Sequence, residues 1–204
     1  MLRPNPLRGR PIHHPDNDPV FARIESLGIA AIIHEGRGGN VNFTSEDRFD
    51  SWYATRAACH PMEAMLAFAG FVTEGVFDCH PRMRTGFLES GSGWVPFWLD
   101  RMDEHHEMWA AAERPQLELE PSEYFARQCA ISGETEDHFM DQVVDTVGPE
   151  HVIWASDFPH MECKYPESLK LFLENTRLDK SALKKVLWDT PCWLYGVDPR
   201  GRAA

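Results

Sequence analysis

The 204-residue chain is short of the features that would bind it covalently, anchor it in lipid or hold it on nucleic acid. Its five cysteines, at 59, 79, 129, 163 and 192, form an odd set with no C-x-x-C pair and no disulfide-dense spacing, as suits a reducing compartment. No apolar run approaches the ~20 residues of a membrane-spanning helix, and Met1-Leu2-Arg3-Pro4-Asn5-Pro6 lacks the apolar centre of a secretory leader. Basic residues are scarce, 20 against 32 acidic ones for a net charge of −12, and they form no stripe, which excludes an electrostatic nucleic-acid footprint. Gly36-Arg37-Gly38-Gly39 is not followed by the Gly-Lys-Ser/Thr of a phosphate loop, so it reads as a flexible active-site loop. Neither Ser90 nor Ser92 has glycines two residues to either side, which removes the nucleophile elbow of a serine hydrolase. The expectation is a soluble, cytoplasmic protein whose partners are small molecules rather than nucleic acids or membranes.

What is present is a core and a rhythm. With 43% hydrophobic residues the chain can bury one compact domain over residues 1–204. Two short apolar runs end abruptly in polar groups: Ile29 to Ile33 runs into His34-Glu35-Gly36, and Val152 to Ala155 runs through Ser156 into Asp157-Phe158-Pro159-His160. That is how buried parallel strands deliver reactive side chains. Further strands are expected at 84–88 and 128–131. Amphipathic spacing places helices at 19–27, 47–58, 61–74, 96–112, 136–147, 167–175 and 180–188, with a short helical or extended entry at 122–127. Pro61 is read as the first turn of a helix, separating 47–58 from 61–74. Residues 1–18 should be irregular unless Leu2 to Pro4 ends a strand. The βαβα order puts the strands in one parallel sheet.

In a parallel α/β barrel the reactive groups lie at strand C-termini, so His34, Glu89 and Asp157 should converge on one face. Imidazole and carboxylate together suit zinc or another divalent first-row ion, which can lower the pKa of a bound water to about 7. His160, three residues beyond Asp157, is placed to orient that carboxylate or a substrate. Other readings compete. An equal alternative has Glu89 capping backbone N–H groups before Ser90-Gly91-Ser92-Gly93. Trp94, Trp98 and Trp109 share a helical stretch and are mostly core, with Trp94 the best pocket wall. Asp103 to Glu107 reads as a solvated helix face. Cys59-His60 and Cys79-His80 are neighbours that diverge on any regular element, so they punctuate helices rather than form zinc sites.

The blocks Ala31-Ile32-Ile33-His34-Glu35-Gly36, Gly75 to Pro81, Phe87-Leu88-Glu89-Ser90-Gly91-Ser92-Gly93-Trp94-Val95-Pro96, Leu99 to Asp103 and Ala155-Ser156-Asp157-Phe158-Pro159-His160 resemble the amidohydrolase-related family. The branch is the one that contains aminocarboxymuconate semialdehyde decarboxylase. The resemblance runs from about residue 3 to 198. It implies an α/β, TIM-barrel-like metal-dependent hydrolase fold, here truncated to about strands 4/5–8 with their helices, since no His-x-His first-strand pair occurs. By position, His34 and Asp157 correspond to metal ligands, and Glu89 stands where the family often has a catalytic histidine. Asp157 and Glu89 are the expected catalytic residues, with His160 and Trp94 at the substrate or behind the ligands. One divalent ion is implied, zinc first, with manganese, iron or cobalt open. The implied activity is hydrolysis or decarboxylation of a small organic acid or cyclic substrate. The alternative is a catalytically silent half-barrel completed by self-association or a partner, and exposed sheet edges favour a homo-oligomer.

Overall fold

The computed structural model describes residues 1–35, 44–114, 116–161, 163–198 and 200. In chain order they form α1 (Asp18–Leu27), β1 (Ala31–His34), α2 (Trp52–Thr73), α3 (Val76–Cys79), β2 (Thr85–Leu88), α4 (Trp94–Glu113), α5 (Pro121–Gln128), β3 (Cys129–Gly133), α6 (Met140–Val147), β4 (Val152–Trp154), α7 (Ser168–Asn175), α8 (Lys180–Lys184) and α9 (Thr190–Tyr195). The strands make one parallel sheet in the order β1-β2-β3-β4, each pair of neighbours joined by a helical crossover, as parallel pairing requires. The N-terminus adds a trace of a further strand. Leu2 donates to the Ile32 carbonyl at 2.6 Å and accepts from the His34 N–H at 3.0 Å, a parallel bridge to Ile33. The α/β, barrel-wall reading therefore holds. The loop expected at 36–42 lies outside the described residues.

Alternation along the strands separates two faces. Ile33, Phe87, Ile131 and Val152 align in register across the sheet and are buried beneath the helices. Aromatic rings fill that layer: Phe68, wholly buried on α2, meets Phe77, Phe87 and Phe125 with centroids 6.0, 6.0 and 5.8 Å away. On the opposite face Ala130, Ile153 and Leu194 form a smaller cluster with Ile32 and Leu88. Leu194 comes from α9, and Gly86 leaves room for it, since a Cβ there would lie 2.9 Å from its Cδ2. Arg84 fastens the same helix by donating to the Trp193 carbonyl at 2.7 Å.

Three helical expectations are corrected. Residues 52–73 form one helix with Pro61 inside it, not two. A proline inside a helix typically costs ~3 kcal/mol, but Cys59, His60, Glu63, Ala64, Ala67, Phe68 and Phe71 are all buried, and packing on both sides of the ring outweighs the lost hydrogen bond. The run expected to stop at 188 continues through a π-helical turn, Lys185–Asp189, into α9, the turn lying just before Pro191. Trp109 is not core: it is 55% exposed, because the outer face of α4 is uncovered there.

Candidate active site

Each strand of the sheet ends in or just before an ionisable group: His34 closes β1, Glu89 follows β2, Glu134 follows β3 and Asp157 lies three residues past β4. Parallel pairing puts these ends on one side, and the structure brings His34, Glu89, Asp157 and His160 together. His34 Nε2 lies 2.7 Å from Glu89 Oε2. His160 Nδ1 is 2.9 Å from Asp157 Oδ1 and 3.9 Å from Glu89 Oε1. One ligand atom each from Glu89, Asp157 and His160 fall within 4.8 Å of one another. Arg56, from α2, approaches Glu89 Oε1 at 3.6 Å.

The backbone is distorted to make this possible. Glu89 and Asp157 both have φ of 54°, a left-handed conformation that costs a non-glycine residue roughly 1–3 kcal/mol and concentrates at functional sites. The turn at Glu89 is held from both sides. Its N–H donates to Ser132 Oγ at 3.2 Å, and its carbonyl accepts from His60 Nδ1 at 2.7 Å. At Asp157 the carbonyl accepts from the His160 N–H at 2.9 Å.

Tautomers follow from the partners. His34 Nδ1 contacts the Glu35 carbonyl, which can only accept, so Nδ1 carries a proton and Nε2 is turned toward the carboxylates. The Glu89 contact raises the His34 pKa, against burial, which lowers it. Burial alone would raise the Glu89 carboxyl, but the His34 contact and the charges of His34, His60 and His160 outweigh it and hold Glu89 below its ordinary value.

A divalent ion fits these residues. Glu89 Oε2 is buried without a well-aligned hydrogen bond among the described residues, and it faces a histidine nitrogen whose partner nitrogen is already committed to a main-chain carbonyl. Two such groups at 2.7 Å need a proton or a cation between them. The nitrogen and oxygen donors suit zinc, manganese, iron or cobalt.

Trp94 sits elsewhere. It is 8% exposed, packs edge-on against Phe87 and donates from Nε1 to Ser90 Oγ at 3.2 Å. It therefore braces the 89–93 turn from the core side. An apolar groove lined by Trp98, Met102 and Trp109 among others runs over α2 and α4 and includes no strand-end residue.

Sequence reading passed over Glu134, because it ends β3 at 131 while the strand continues to Gly133. Burial, then the negative charges of Asp157 and Glu89, push the Glu134 carboxyl from 4.5 up to about 7. The folded state therefore holds this proton more tightly than the unfolded chain does. That contribution is complete below about pH 4.5 and is lost as pH rises through about 7. In metal-free protein, Glu134→Gln should match wild type near pH 4 and exceed it near pH 8 by roughly 1 kcal/mol, solvent screening included, in urea unfolding. Equal stabilities at both pH values would show that Glu134 ionises normally.

Comparison with known proteins agrees with this fold. The chain is 25% identical over 203 residues to the 2-amino-3-carboxymuconate-6-semialdehyde decarboxylase of Dictyostelium discoideum, covering 95% of this chain and 52% of that protein. Among solved structures, an amidohydrolase from Mycobacterium avium subsp. paratuberculosis superposes with a TM-score of 0.80 at 22% identity, over 96% of this chain and 50% of its own. The 5-carboxyvanillate decarboxylase from Sphingomonas paucimobilis superposes with a TM-score of 0.78 at 26% identity, over 97% and 58%. The chain thus spans about half the length of the relatives it matches. The amidohydrolase family model matches residues 2–197, which takes in all four strands and every strand-end group described above, and the chain belongs to that family.

Proposed function

We propose that the protein is a metal-dependent decarboxylase of a small aromatic or unsaturated carboxylic acid, with hydrolysis of a small cyclic substrate as the competing activity. The observation that carries this reading is the convergence of His34, Glu89, Asp157 and His160 at the ends of parallel strands. Two relatives are named as decarboxylases of carboxylic acids. A third, a 5-carboxyvanillate decarboxylase from Novosphingobium aromaticivorans with the same fold, is described with bound manganese.

His34 and Asp157 would hold the ion, with zinc or manganese equally compatible with their donors. Bound there, a divalent ion supplies Lewis acidity to a neighbouring oxygen. His160 holds the Asp157 carboxylate through its Nδ1 contact. Decarboxylation breaks a carbon–carbon bond and leaves a carbon that must gain a proton. Glu89, ionised at neutral pH and next to the His34 imidazole, would take up one proton from solvent water and hand it to that carbon as carbon dioxide leaves, returning to the carboxylate.

The experiment is release of carbon dioxide from hydroxylated benzoates and carboxyvanillate by the full-length protein, before and after chelation. Turnover that disappears on chelation and returns with zinc or manganese is expected. Metal-loaded protein that releases no carbon dioxide but cleaves esters or amides would move the assignment to hydrolysis. Turnover indifferent to chelation would overturn both.

A second reading, a half-barrel that completes itself by self-association, rests on the sheet. Among the described residues β4 pairs only with β3, and beyond β1 only Leu2 pairs. Sedimentation equilibrium of the 204-residue chain separates the two, since a well-folded monomer argues against self-completion.

A further inference from the structure

The arrangement at His34 is repeated behind Glu89 with different ligands. Adjacent positions on a helix point about 100° apart, so Cys59 and His60 share no target until Glu35 is brought between them. In the fold it is: Glu35 Oε2 lies 2.9 Å from His60 Nε2 and 3.9 Å from Cys59 Sγ. One ligand atom from each of the three residues falls within 4.8 Å of the others.

Two independent features point to a cation site. His60 Nδ1 is 2.7 Å from the Glu89 main-chain carbonyl, which only accepts, so that nitrogen is the donor and Nε2 is the nitrogen presented to Glu35. A histidine whose far nitrogen is fixed on a carbonyl is the usual form of a metal ligand. In addition, Glu35 is 4% exposed and its Oε1 is buried with no partner among the described residues. A simple ion pair with His60 leaves Oε1 without a partner, and the Cys59 thiol makes only long contacts, to the Arg56 carbonyl at 3.7 Å and to Glu35 Oε2 at 3.9 Å.

We propose that Glu35, Cys59 and His60 form a second metal site, for zinc or another thiophilic divalent ion, separate from the strand-end centre. Zinc–sulfur and zinc–nitrogen bonds of about 2.3 and 2.0–2.1 Å place neighbouring ligand atoms of a tetrahedral ion about 3.3–3.6 Å apart. The three groups bracket that spacing, so side-chain adjustment closes the site. The Cys59 thiol proton leaves to solvent and sulfur binds as thiolate, with no change of oxidation state. One carboxylate and one thiolate then balance the two positive charges, and Oε1 gains a partner through bidentate binding. The ion would tie α2 to the ends of β1 and β2, and through His60 it would hold the left-handed turn that aims Glu89.

The test is titration of metal-free, reduced 204-residue chain with cobalt(II), followed by absorbance. A thiolate ligand produces a near-ultraviolet sulfur-to-cobalt charge-transfer band, whereas the strand-end donors contain no sulfur. The band should saturate at one equivalent. It should persist in Asp157→Ala, Cys79→Ser and Cys163→Ser, and vanish in Cys59→Ser with loss of one bound equivalent. No band in folded wild type at saturation would overturn the proposal, as would a band that survives in Cys59→Ser. Because Asp157→Ala removes only the strand-end centre, failure of that centre and failure of this one give different spectra.

Discussion

Asp157→Ala should remove one equivalent of bound metal and abolish turnover in the full-length protein. If His34 and Asp157 hold the ion as proposed, the variant removes its anionic ligand. By comparison, changing a group that merely orients a ligand weakens binding or activity 10–100-fold, so removing a ligand should cost on the order of 1,000-fold or more. His34→Ala should remove the same equivalent. The double variant should lose nothing further, because the two side chains act on one ion and their effects do not add. His160→Ala tests the geometry behind them. Its Nδ1 orients Asp157 from 2.9 Å while the ring is 54% exposed, so it should cost the smaller 10–100-fold and leave metal measurable. Elemental mass spectrometry beside turnover distinguishes these outcomes. Asp157→Ala protein that keeps both its metal and its activity would remove Asp157 from the site.

The strand ends were legible because burial writes them plainly. Ile29 to Ile33 and Val152 to Ala155 are apolar on both faces, and the abrupt change to His34 and to Asp157 marks where the sheet meets solvent. Pro61 misled for the opposite reason. Its local cost is fixed by chemistry, whereas the burial that overrides it depends on Phe68 and Phe71 meeting Phe77 and Phe21, contacts that exist only in the folded chain. Glu134 was missed because β3 runs two residues past the expected end, to Gly133. Glu35, Cys59 and His60 were each visible, but adjacency on a helix predicts that Cys59 and His60 diverge, whereas in the fold one ligand atom from each lies within 4.8 Å of the other and of Glu35. Nothing in that spacing could reveal a third residue, 24 positions upstream of Cys59, lying between them. Trp94 shows the limit from the other side: an aromatic beside a strand-end loop reads as a pocket wall, and only its contacts with Phe87 and Ser90 assign it to the core.

Glu89→Gln should lower turnover of the full-length protein by about 100- to 10,000-fold, the range expected for loss of a positioned proton carrier. That corresponds to about 2.7–5.5 kcal/mol of transition-state stabilisation. Glutamine keeps the size of the side chain, and the main-chain clamps on this residue, from Ser132 Oγ and His60 Nδ1, do not involve the carboxylate. The turn should therefore survive, and metal content measured beside turnover separates loss of proton transfer from loss of a donor at the His34–Glu89 contact. The pH dependence follows from the direction of the shift. Glu89 is held below 4.5, so its ionised form adds stability above that pH and the contribution is lost as pH falls through the depressed folded value. The acidic limb of kcat/KM in wild type should report the same ionisation, and in Glu89→Gln that limb should flatten. Glu89→Ala is the less informative change, since it empties the volume beside His34 as well as removing the charge. If Glu89→Gln instead retains wild-type kcat and the acidic limb is unchanged, the carboxylate serves only to cap the 89–93 turn, and the proton must be carried by another group at the strand ends, with Glu134 the next residue to substitute.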